Sequence, residues 1–86
     1  MKLAEAMNTY NPALLIIKNK GFDIKIRLNE NQDEIERWVA QKQNLEIFGF
    51  NPLSLLGLIN IAEQYGENWR QIDTGNLYDE ILEQDL

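Results

Sequence analysis

Phe22-Asp23-Ile24-Lys25-Ile26-Arg27-Leu28 alternates apolar and polar residues without a break. A period of two puts successive side chains on opposite sides of an extended chain, so the stretch predicts a strand with one buried face, carrying Phe22, Ile24, Ile26 and Leu28, and one wet face. The polar run Asn29-Glu30-Asn31-Gln32-Asp33 then turns the chain. Ile35-Glu36-Arg37-Trp38-Val39-Ala40 follows with blurred alternation, the pattern a bulge produces. Gln43-Asn44 turns the chain again, into Leu45-Glu46-Ile47-Phe48-Gly49-Phe50. Three antiparallel strands in a meander are expected.

Outside this block the apolar period lengthens to that of a helix. Asn11-Pro12 precedes Ala13-Leu14-Leu15-Ile16-Ile17, and Asn51-Pro52 precedes Leu53-Ser54-Leu55-Leu56. Asparagine at an N-cap accepts a bond from an orphan N–H, and proline just inside the helix gives up an N–H that has no partner there. Each segment runs on to a glycine, Gly21 or Gly66, suited to the left-handed closing position. Helices are expected over about residues 12–20 and 52–65, with Pro12 restricting Asn11 and breaking the chain from any earlier turn in residues 2–8. Residues 67–75 read as a polar connection that folds Trp69 back onto the core. From Asn76 to Leu86, an apolar stripe of Leu77, Tyr78, Ile81 and Leu82 opposes Asp79, Glu80 and Glu83, predicting a short third helix that needs docking for stability. The fold class is α+β: one α-β-β-β-α domain over residues 1–86, its meander covered on one face by helices, with 1–10 and 76–86 peripheral.

Composition narrows the function classes. The chain has 86 residues, 44% hydrophobic and 26% charged, within the range of folded domains. Cysteine is absent, so no disulfide or thiolate site supplements the core, and a cytoplasmic location is expected. No run has signal-peptide character or approaches the ~20 apolar residues of a membrane span. The net charge of −6 is uneven: seven bases balance seven acids up to residue 50, whereas seven acids face the single base Arg70 beyond it. That acidic end repels phosphate backbones, so no nucleic-acid partner is expected.

Histidine is also absent, which removes the commonest general base together with the preferred zinc ligands. Ser54, the only serine, has no base to activate it and reads as a first-turn helix residue. Paired carboxylates are the one catalytic option left, and Glu63 with Glu67 or Asp79 with Glu83 fall on polar, solvated faces. No calcium-loop spacing and no phosphate-cradling glycine pattern occurs. No catalytic residue, metal site or cofactor is therefore assigned.

The order helix, strand, strand, strand, helix resembles the double-stranded-RNA-binding domain over residues 11–66. That family grips phosphates with lysines at the start of its second helix, where this chain has Asn51-Pro52-Leu53-Ser54-Leu55-Leu56 without a base. The resemblance implies an architecture and no RNA-binding function.

The most informative segment is Leu53 to Ala62, whose polar stripe is narrow. A helix this apolar needs cover on more than one side. Either the sheet and the first and last helices supply it, or part stays exposed as a partner or subunit surface, with Gly57 permitting close approach. Candidate partner-binding residues are Leu58, Ile61 and Tyr65 on this helix, Trp69 and Arg70 after it, and Tyr78 and Leu82 on the last helix. The expectation is a non-catalytic protein-binding or homodimerising module, with an acidic inhibitor of a basic target (antitoxin, immunity protein or nucleic-acid mimic) as the alternative.

Overall fold

All residues, 1–86, are described by the computed structural model. A 3₁₀ turn at Met7–Thr9 leads into α1 (Tyr10–Asn19), followed by β1 (Asp23–Leu28), β2 (Ile35–Lys42), β3 (Leu45–Gly49) and α2 (Pro52–Tyr65). A second 3₁₀ segment, Gly66–Gln71, precedes α3 (Leu77–Asp85). The strands form one antiparallel sheet in the order β1-β2-β3, as the alternation predicts.

Register explains the sheet. Ile24, Ala40 and Ile47 lie abreast on one face, with Ile26, Trp38 and Gly49 in the next row. The pairing slips between Arg27 and Leu28, leaving Glu36 as the extra residue of the expected bulge. Asn29 holds the first turn by accepting from the Asp33 N–H at 3.1 Å, while its amide donates to the Asp33 carboxylate at 2.8 Å.

The helix starts differ. Asn51 caps α2 as expected, its Oδ1 accepting from the Ser54 N–H at 2.8 Å with Pro52 in the first position. Asn11 does not cap α1, which begins at Tyr10 and places Pro12 third. None of the first-turn N–H groups has an intrahelical acceptor, so proline is tolerated throughout that turn and the helix runs through Asn11 unbroken. At the other end Gly21, at φ +92°, donates its N–H to the Lys18 carbonyl, and Lys42 reaches across from β2 to donate to the Lys20 carbonyl at 2.7 Å. A cation there complements the negative end of the helix dipole.

α1 and α2 pack side by side on one face of the sheet. Ile17, Phe22, Ala40, Ile47, Leu55 and Ile59 form the core, with Ile24, Trp38, Leu56 and Ala62 packed around it. The layer covers only part of the strand face: Ile26 and Leu28, expected inside, are 46% and 43% exposed, because α2 crosses the Ile26-Trp38-Gly49 row at its β3 end, over Gly49, and leaves the β1 end open. α2 reaches the sheet through Gly49, where an added Cβ would lie 2.8 Å from the Leu55 backbone nitrogen. Gly57, by contrast, faces open space.

Two expectations about the C-terminal part are corrected. Residues 66–71 form a 3₁₀ helix and leave Trp69 half-exposed, not folded into the core. α3 forms where predicted but makes no extended packing contact with any other element, so it does not cover α2. Its apolar stripe stands in solvent.

The two glycines give a paired prediction. Gly49→Ala forces backbone apart and is expected to lose about 1–3 kcal/mol of unfolding free energy. Gly57→Ala meets nothing and is expected to gain about 0.5–1 kcal/mol from helix propensity. Urea titration of the two variants checks both signs.

Candidate functional site

A helix has 3.6 residues per turn, so fixing Leu55 and Ile59 against the sheet dictates where the rest of α2 points. Leu58, Ile61 and Tyr65, spaced three and four apart, share the adjoining face and remain 40%, 43% and 47% exposed. They stand beside β3, which has a free edge because it pairs only with β2.

Between that edge and α2 lies a groove of about 860 Å³. Leu45, Ile47 and Phe48 form one wall, Leu58, Ile61 and Ala62 the other, and Trp69 and Arg70 close one end. The Arg70 guanidinium stacks on the Trp69 ring, 5.0 Å from its centroid, holding both side chains as one plate. Arg70 is the only base in the lining, which also includes Glu46 and Glu67. A smaller recess of about 370 Å³ adjoins it, sharing Phe48 and Leu58 and adding Phe50.

The far face of the sheet is not wholly polar. Val39 is buried there although no layer covers it, because its cross-strand neighbours are Lys25 and Phe48. Arg27 and Arg37 both lie over the Phe48 ring, 6.0 and 5.0 Å from its centroid. Phe48 is thus flanked by two guanidinium groups while it also lines the groove.

Charged groups elsewhere are dispersed. The one ion pair joins Lys20 to Glu63 at 2.7 Å and ties the end of α1 to α2. Glu67, Asp79 and Glu83 are exposed, as is Glu63, and no three acids gather in a metal-holding group. No helix is long and apolar enough to cross a membrane.

No protein-family model, curated protein or solved structure matches the chain.

Of the residues singled out from sequence, Leu58, Ile61, Trp69 and Arg70 come together in the groove. Tyr65 lies on the same helix face beyond its lining, and Tyr78 and Leu82 stand apart on α3. The wall contributed by β3 was missed. Its signal was present in Leu45, Ile47, Phe48 and Phe50: both faces of the strand carry large apolar groups, which a sheet covered on one side does not need.

α2 thus has a face that holds the fold and a face that does not. Ile59→Ala is expected to lose about 2–5 kcal/mol of unfolding free energy. Ile61→Ala, two residues away, is expected to lose less than about 1 kcal/mol under dilute, monomeric conditions. Chemical denaturation followed by circular dichroism measures the difference.

Proposed function

We propose that the protein is a non-catalytic association module that works by covering its exposed apolar surface with another copy of itself. The observation that carries this reading is a surplus of surface. A compact monomer of 10.1 kDa exposes about 5,300 Å², whereas this chain exposes 7529 Å². The surplus of roughly 2,200 Å² per protomer falls within what permanent dimers bury. A radius of gyration of 15.4 Å, against about 12 Å for a compact chain of this length, agrees with terminal segments that pack little against the body, residues 1–6 and α3.

The residue inventory supports a role without turnover. The chain has neither imidazole nor thiol, and the carboxylate pairs Glu63 with Glu67 and Asp79 with Glu83 are exposed. The start of α2 carries no base and the C-terminal part is acidic, which speaks against nucleic acid as the partner.

A second reading, an acidic inhibitor of a basic target, draws on one feature: Asp79, Glu80, Glu83 and Asp85 have no ion-pair partner in the chain. Neutralising the first three as Asp79→Asn, Glu80→Gln and Glu83→Gln is expected to abolish capture of a basic protein on that reading, and unchanged capture counts against it.

Sedimentation equilibrium tests self-association. The expected mass at tens of micromolar is twice 10.1 kDa, and Leu58→Asp combined with Ile61→Asp is expected to return it to the monomer value. A wild-type chain that stays monomeric at several hundred micromolar refutes the homodimer.

A further inference from the structure

We infer that the groove between β3 and α2 is filled by α3 of a second copy, exchanged reciprocally so that each protomer lends its last helix to the other. This rests on the self-association proposed above and specifies its contact.

The two halves of the contact are both present in one chain and do not meet there. α3 carries Leu77, Tyr78, Ile81 and Leu82 along one side, all exposed, Tyr78 at 77%. Nine residues are too few for a stable helix in water, so α3 needs a surface to lie on, and its own body does not supply one. The groove needs a rod with an apolar stripe, since its walls are apolar on both sides. Lengths agree: nine helical residues span about 13 Å, and the five residues of β3 that form one wall span about 17 Å.

Area selects the second copy as occupant. Exchange places two identical helix-in-groove contacts in one closed, two-fold assembly, with each protomer both donor and acceptor. The surplus of roughly 2,200 Å² per chain, part of which lies on the exposed residues 1–6, is within the range that permanent two-fold dimers bury per protomer. A single foreign helix would fill the groove and leave the stripe of α3 wet.

Charge sets orientation and does not drive the contact. Glu46 and Glu67 share the groove rim with Arg70, and α3 is acidic, so its Asp79, Glu80 and Glu83 side faces outward to water. Two chains of net charge −6 repel one another, and added salt screens that repulsion. The dimer is therefore expected to tighten as salt rises.

Mixed isotope labelling tests the contact on the unmodified chain. Protomers labelled with ¹³C and unlabelled protomers are combined by refolding, and isotope-filtered nuclear Overhauser spectra record contacts between chains only. The expected result is a dimer with cross-chain contacts from Ile81 and Leu82 to Leu58, Ile61 and Trp69. Contacts of the same residues within one chain, in a monomer, overturn the exchange by showing α3 docked on its own body. A dimer whose α3 touches no groove residue, for instance one joined edge to edge through β3, overturns the exchange and leaves self-association standing. A monomer with free α3 overturns both. As a second measurement, Ile81→Asp with Leu82→Asp, both outside the core, is expected to preserve the amide spectrum of the sheet and raise the dimer dissociation constant about a hundredfold or more. An unchanged constant refutes the exchange.

Discussion

Leu55 lies directly over Gly49, and the missing side chain at that glycine lets the first turn of α2 descend onto β3 until backbone meets backbone. Much of the remaining geometry of the molecule propagates from this contact. With Asn51 capping the helix and Pro52 opening it, the start of α2 is tied to the strand it has just left. Ile59 is then one turn along on the same side and completes the core with Ile17, Phe22, Ala40 and Ile47. Leu58 and Ile61 are turned toward the open edge of the sheet, where only Trp69 and Arg70 approach and both residues stay partly exposed.

The resulting core is small. Ten of 86 residues are buried, so the helices close over one end of the sheet and leave the other end, at Ile26, Leu28 and Ile35, partly wet. Polar ties compensate locally. Lys42 caps α1 and lies 5.5 Å from the Phe22 ring centroid, and Lys20 reaches Glu63, so the end of α1 is bound to both the sheet and α2. These contacts fix the region where the chain must be rigid if the neighbouring groove is to keep its shape.

The groove, the free β3 edge and the unpartnered α3 describe one deficiency from three sides. A chain that cannot bury these surfaces alone gains most by sharing them, because the hydrophobic term scales with area removed from water whichever chain supplies the cover. The acidic composition acts in the opposite sense, since like net charge opposes association. Under the proposed self-association, apolar complementarity has to overcome that repulsion, which favours a defined contact over a diffuse one.

Much of this fold was legible in the residues. The strict alternation from Phe22 to Leu28, the Asn51-Pro52 start, the closing glycine Gly21 and the stripe of α3 each report a local preference that depends on neighbours along the chain, and β1, the start of α2, the end of α1 and α3 appear where those signals place them. The strand periodicity also marked Ile26 and Leu28 as inward-facing, which holds for direction and not for burial. How far a helical layer extends over a sheet is set by where α1 and α2 cross it, and no local signal carries that. The same limit applies to the candidate surface. Leu58, Ile61, Trp69 and Arg70 stood out as apolar or aromatic residues on elements with too little to cover them, but the β3 wall opposite, the stacking of Arg70 on Trp69 and the separation of α3 from its own groove are relations between distant parts of the chain. The residue order was enough to set the elements, their succession and their chemistry, because those depend on local periodicity and composition. Which apolar faces found cover was settled only when the elements packed, because burial depends on the position of every other element at once.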